Sequence, residues 1–162
     1  QTNLIVTGLT SFVIILTQSV AVVYFAFGAL MCTISVKFLK KAIRQPRPVN
    51  QTSKQRTTYG MPSTHSATIS YYAVYISLAC VYLSSHRSFP LSVCTRMFLA
   101  VLCLLYGIMV VWSRIWLGHH TWPQVIVGVT HGLIFAMVWF KLWCAGLNQY
   151  GSQLEGFGNQ IG

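Results

Sequence analysis

The sequence predicts an all-α, polytopic membrane helix bundle of about five spans, with its functional site at one membrane face. Three observations carry that prediction. Of 162 residues, 54% are hydrophobic and 7% charged, and the mean hydropathy is +0.59, whereas a soluble domain carries about 25% charged residues. The apolar residues fall into separate runs long enough to cross a hydrocarbon core of roughly 30 Å. Most of the basic residues and histidines gather between those runs, in segments that parity places on one side of the membrane.

Residues 1–36 contain no charge. As one helix they would extend about 54 Å, too far for a single crossing. A break at the polar Thr17-Gln18-Ser19 gives one span up to about Leu16 and a second from about Val20 to Lys41. Pro46 and Pro48 stop the second, because residues before proline avoid the helical region. Residues 45–61 read as a polar loop, and Pro62 suits the first turn of a third helix that runs to about Ser84. His86–Arg96 reads as a polar connection containing a solvated His86, Met97–Trp112 as a fourth span, Arg114–Thr121 as a tight connection and Trp122–Cys144 as a fifth span. Residues 1–144 therefore form one membrane domain, which starts at Gln1 without Met and so reads as a fragment or a processed form, and 145–162 a flexible Gly-rich tail.

With this parity the end of the second span, the start of the third and the fourth-to-fifth connection emerge together. Lys37, Lys40, Lys41, Arg44, Arg47, Lys54, Arg56 and Arg114 lie at or near that face, as do His65, His119 and His120. The result is a basic, histidine-containing mouth assembled from separate segments.

Composition excludes several chemistries. Lys and Arg number 11 against a single acid, Glu155, and there is no Asp. Paired-carboxylate glycosidase chemistry needs two acids, and magnesium sites need carboxylates to hold the ion. Phosphoryl chemistry in this chain must rest on His, Lys, Arg and backbone amides, without metal or other cofactor. An excess of positive charge points to nucleic acid or anionic lipid. With no soluble domain left to carry a nucleic acid, a lipid phosphate in the bilayer is the partner expected. Cys32, Cys80, Cys94, Cys103 and Cys144 show no CxxC or CxH spacing and read as small hydrophobes or bystanders.

Three words carry the candidate chemistry. The first is Lys40-Lys41-Ala-Ile-Arg44-Gln-Pro-Arg47-Pro48. Its lysines alone fit a snorkelling, dipole-matched helix end. The Pro-Arg-Pro that follows holds Arg47 in place, which suits a ligand contact. The second is Tyr59-Gly60-Met61-Pro62-Ser63-Thr64-His65-Ser66 at a helix start. Free amides and the dipole there suit an anion, Ser63 can donate from its hydroxyl, and His65 can deliver a proton. An ordinary capped helix with an interfacial histidine explains the same word. The third is Ser113-Arg114-Ile-Trp-Leu-Gly118-His119-His120-Thr-Trp122-Pro-Gln124. Arg114 offers a planar fork for phosphoryl oxygens. His120 and Gln124 are four apart and share a helical face, so Gln124 can hold one imidazole nitrogen and leave the other to attack phosphorus. The His119-His120 pair finds no third metal ligand. His131, about 16 Å further along the helix than His120, reads as an interhelical hydrogen-bonding group.

Together the three words resemble the type 2 phosphatidic acid phosphatase superfamily, with its pattern K-x6-R-P, then P-S-G-H, then S-R-x5-H-x3-D. Lys40, Arg47 and Pro48 match the first part, and Pro62, Ser63 and His65 the second, with Thr64 in place of Gly. Ser113, Arg114 and His120 match the third, with Gln124 in place of Asp. The flanking words Q-P-R-P-V, Y-G-M-P-S-x-H-S and S-R-x-x-L-x-x-H-x-x-x-Q-V are similar to those of the dolichyl-diphosphatases of the endoplasmic reticulum, Gln at the Asp position included. The resemblance covers roughly residues 20–140.

That resemblance implies hydrolysis of dolichyl diphosphate to dolichyl phosphate and phosphate. His120 would be the nucleophile forming a phosphohistidine and His65 the general acid. Lys40, Arg47, Arg114, Ser63 and the amide of Thr64 would hold the phosphoryl oxygens. Gln124 orients the ring without supplying charge, so replacing it with Asp is expected to strengthen the nucleophile. A broader lipid phosphate phosphatase, a silent lipid-phosphate binder and an anion transporter are the competing readings; the last needs a path across the bilayer, whereas the charges sit at one face. The resemblance implies a multi-pass protein of the endoplasmic reticulum membrane with a lumenal site, although counting Lys and Arg alone would put that face in the cytoplasm. The sequon Asn50-Gln51-Thr52 on the same face fits a lumen.

Overall fold

The computed structural model of the chain describes residues 19–46, 59–83 and 92–147. These form four α-helices: α1 (Val20–Ile43), α2 (Thr64–Tyr82), α3 (Val93–Trp116) and α4 (Trp122–Leu142). A π turn, Trp143–Leu147, continues α4 and is kinked at Gly146, whose φ of 148° suits a residue without Cβ. Among the described residues every regular element is helical, as expected. Helices α1, α3 and α4 with its π turn are long and apolar enough to cross a membrane. The expected first span up to Leu16, Arg47, the sequon, His86 and residues 148–162 lie outside the described residues.

Helix α1 forms from an uninterrupted apolar run and ends with Lys40 and Lys41 in its last turn, where cations meet the negative end of the dipole. Arg44 stops it three residues past Lys41 by taking the left-handed conformation (φ 51°), and its N–H returns to the Lys40 carbonyl at 3.0 Å. Arg44 therefore stands at the C-cap, outside the helix that bears Lys37, Lys40 and Lys41.

Helix α2 starts later than expected. Ser63 is its N-cap and accepts from the Ser66 N–H, so Pro62 stands before the cap and not in the first turn. This helix is the least apolar of the four and the most enclosed, packing against all three others. Its Ser66, Ala67, Ser70, Tyr71, Ala73 and Tyr75 are buried. The bundle shields them from lipid, which explains why a membrane helix tolerates so many hydroxyls.

Helix α3 is longer than expected at both ends. Ser92 caps it by accepting from Thr95 N–H at 3.2 Å, which brings Arg96 into the helix. Its C-terminal end runs to Trp116, so Arg114 sits on the last helical turn and not in a loop. Only Ala100 and Gly107 of α3 are buried, and most of its large apolar side chains are exposed on the described bundle.

Two glycines set the approach of α4 to α2. A Cβ at Gly128 would stand 2.7 Å from the Ser63 carbonyl, and one at Gly132 would run into the Ala67 carbonyl. Gly128 and Gly132 thus form a small-xxx-small seam, which brings two helix backbones together where lipid offers no hydrophobic drive. Helices α1 and α4 are tied by paired bonds, Tyr24 Oη to the Trp139 carbonyl at 3.1 Å and Trp139 Nε1 to the Tyr24 carbonyl at 3.2 Å. The tight α2–α4 seam is what holds the ends of those helices in register.

Candidate active site

The first turn of α4 organises the site. Gln124, only 1% exposed, folds back so that Oε1 accepts from the Thr121 N–H at 3.3 Å. The same oxygen lies 3.2 Å from His120 Nδ1. At the other end, Nε2 donates to the Pro46 carbonyl at 3.2 Å and to Gln45 Oε1 at 3.4 Å. A backbone N–H can only donate and a backbone carbonyl can only accept, so these two partners fix which way the amide points. Gln124 Oε1 carries no proton, so His120 Nδ1 must. That tautomer leaves the lone pair of His120 on Nε2.

The start of α2 abuts this turn, with Ser63 N–H donating to the Gln124 carbonyl at 3.0 Å. Ser63 is fully buried. Its Oγ accepts from Ser66 N–H at 3.4 Å and Ser66 Oγ at 2.9 Å, so the capping role is the one its geometry displays. Thr64 follows at the first helical position, ahead of any intrahelical acceptor for its N–H. His65 lies one residue further, half-buried, in the same first turn.

The basic residues divide by exposure. Lys40 is half-buried, whereas Lys37, Lys41 and Arg44 are exposed, and Arg44 Nε is spent on the Lys41 carbonyl at 3.0 Å. Arg114 Nε is buried and has no hydrogen-bond partner among the described residues. A buried guanidinium N–H is costly to leave unmet, so this position suits an incoming anion. The chain then turns at Gly118 (φ 65°), leaving His119 exposed and His120 buried. Among the described residues no group of His, Cys, Asp or Glu is arranged to hold a metal ion.

Hydrogen bonds therefore join the end of α1, through the side-chain amide, and the start of α2, through the backbone carbonyl, to Gln124 at the start of α4, while the His119 N–H bonds the Arg114 carbonyl at 3.1 Å and links α3 to the same turn. His131 stands apart from this cluster. Its Nε2 lies 2.9 Å from Ser35 Oγ, and that hydroxyl donates to the Cys32 carbonyl at 2.8 Å. With its proton so placed, Ser35 accepts from His131, giving the interhelical bond expected of it. Sequence reasoning missed Gln45 and Gly60. Gly60 N–H donates to the Gln45 carbonyl at 2.7 Å, and a Cβ there would stand 2.6 Å from Gln124 Nε2. Both lie within the words already singled out, but a lone Gln or Gly beside a loop carries no chemistry until the fold shows its neighbour.

A lipid-facing helix bundle with a buried histidine–amide pair and cationic groups at one end defines the class. The chain belongs to the PAP2 superfamily, whose family model matches residues 21–145. Within it, the chain is 35% identical over 118 residues to "Dolichyldiphosphatase 1" of Homo sapiens, covering 70% of this chain and 49% of that protein. It is 36% identical over 131 residues to "Dolichyldiphosphatase" of Saccharomyces cerevisiae, covering 78% and 53%. "Lipid phosphate phosphatase epsilon 1, chloroplastic" of Arabidopsis thaliana is 28% identical over 140 residues, covering 86% and 47%. The chain spans about half the length of the curated relatives it matches. No solved structure matches it significantly.

Proposed function

We propose that this chain is the membrane core of a lipid-linked diphosphate phosphatase, with dolichyl diphosphate as substrate and dolichyl phosphate and phosphate as products. The observation that carries the proposal is the fixed Gln124 amide. It dictates a proton on His120 Nδ1, so that the neutral ring carries its lone pair on Nε2, the form a histidine needs to attack phosphorus. The names of the human and yeast relatives supply the substrate.

In the proposed reaction His120 Nε2 bonds the terminal phosphorus and the bridging P–O bond breaks. His65 gives its proton to the departing oxygen of dolichyl phosphate. Neutral His65 then takes a proton from water, whose oxygen displaces the phosphate from His120. Gln124 Oε1 holds the Nδ1 proton throughout, so the ring keeps its orientation as it gains charge. Lys40, Arg47, Arg114, Ser63 and the Thr64 amide hold the phosphoryl oxygens, replacing the metal that one acid in the whole chain could not hold. The site faces the lumen of the endoplasmic reticulum.

A neutral Gln beside the nucleophile favours a good leaving group. A diphosphate expels a phosphate ester whose second pKa is about 6, as for phosphorylated side chains, whereas a monoester must expel an alkoxide. Phosphate release from dolichyl diphosphate and from phosphatidate by the purified protein tests the proposal. Faster release from the diphosphate is expected; equal or faster release from phosphatidate moves the function to a broader lipid phosphate phosphatase, a name carried by the plant relative.

A further inference from the structure

We infer that the Gln124 carboxamide is a two-ended strut whose amino end latches the turn after α1, and that Gln45 is a positioning residue of the site. The inference rests on the proposed phosphatase reaction and names a further part of its machinery. An amide is both donor and acceptor, and Gln124 uses both capacities. Its oxygen takes His120 Nδ1–H and Thr121 N–H, while its nitrogen gives to the Pro46 carbonyl and Gln45 Oε1. Gln45 is held in turn, since its carbonyl accepts from Gly60 N–H at 2.7 Å. Gly60 leaves room for the amide, because a Cβ would come within 2.6 Å of Nε2 and 3.0 Å of the Pro46 carbonyl.

The strut thus joins the nucleophile to the segment between Lys40 and Arg47. A carboxylate in its place could hold the imidazole but would turn two oxygens of that segment against its own. Contrary to what the His120–Gln124 spacing suggests by itself, Asp or Glu at this position weakens the site, because it severs the latch while improving the orienting end.

The test is a swap of donor and acceptor in the purified chain. Gln124→Glu keeps the arm length and the acceptor for His120, and lowers kcat/KM for a polyprenyl diphosphate by about tenfold or more, the scale of a buried hydrogen bond lost and left unmatched. Half-inhibition by vanadate, an anion held by the same segment, rises in parallel. Gln45→Lys in that background gives the carboxylate a donor and restores most of both losses. The same substitution in the wild-type background sets an ammonium against the amide hydrogens and lowers both. Reversal of sign between backgrounds supports the strut; Gln124→Glu equal to wild type, or Gln45→Lys acting alike in both, overturns it. Gln45→Ala and Gln45→Lys alone form a second series that needs no Gln124 variant to fold. Loss in that order supports the latch, and wild-type activity in both refutes it. If the wild type releases no phosphate, the functional reading fails by itself. A melting cycle of the same four proteins then decides the strut, non-additive shifts supporting it and additive ones overturning it.

Discussion

The two nitrogens of the His120 imidazole are distinguished by a neighbour's amide, which takes Nδ1. Because Gln124 is pinned by Thr121 N–H and the Pro46 carbonyl, the His120 tautomer follows from hydrogen-bond arithmetic. Arg114 shows the complementary feature, a buried donor with no partner among the described residues. Arg114→Ala is expected to cut turnover by about 10²–10³-fold, the cost of removing one donor from a transition-state cradle. Arg114→Lys loses nearly as much, because an ammonium lacks the fork; steady-state kinetics on both variants checks this. Lys40→Ala is expected to matter far more than Lys41→Ala, in keeping with a half-buried and an exposed side chain. Equal loss at both lysines would return them to the role of membrane anchors. At this scale His65, His120, Arg114 and Gln124 could be singled out as candidates because the signal for them is spacing along one chain. Gln45 and Gly60 could not, since their value lies in touching a residue far away in sequence.

At the scale of the element, the seam between α2 and α4 keeps two helix starts together, and with them the segments bearing His65 and His120. Gly132→Val would drive a branched side chain into the Ala67 carbonyl. Overpacking of this kind costs about 1–3 kcal/mol, and a lower melting temperature in detergent, with loss of turnover, is the expected outcome. His131→Phe makes the opposite case. It removes only the bond to Ser35, and interhelical hydrogen bonds in membranes average about 0.6 kcal/mol. A small fall in melting temperature with turnover retained is therefore expected, and loss of turnover at normal stability would place His131 in the chemistry. Apolar runs made α1, α3 and α4 legible, but ends shifted wherever a cap or a left-handed residue decided the boundary, as at Arg44 in α1, Ser92 in α3 and, in α2, Ser63. The Gly128-x3-Gly132 pattern was readable and went unread, because a glycine pair has a meaning only once its partner helix is known.

At the scale of the whole molecule, a membrane bundle lets cations crowd one face because the lipid-facing surfaces carry the rest of the chain. The charge balance of 11 basic residues against one acid then makes metal independence an expectation: activity should survive EDTA, and restoration of a chelator-inactivated enzyme by magnesium or zinc would remove the proposed chemistry. A lumenal site predicts that cysteines placed in the 50–58 segment are shielded from impermeant cytosolic reagents in sealed microsomes; their labelling would reverse the orientation. The overall class was legible because the bilayer imposes its demands on composition directly, whereas the joining of three segments at one residue, Gln124, is a tertiary fact. What the bundle is proposed to achieve is the delivery of one nucleophilic nitrogen to a lipid-linked diphosphate. The most direct test is a single turnover with polyprenyl diphosphate radiolabelled in its terminal phosphate, quenched in alkali to preserve phosphohistidine and mapped to the peptide that carries the label. Label on His120 in the wild type, and none in His120→Ala, is the result predicted. Phosphate release with no label on His120, sustained when His120 is replaced by Ala, would contradict it.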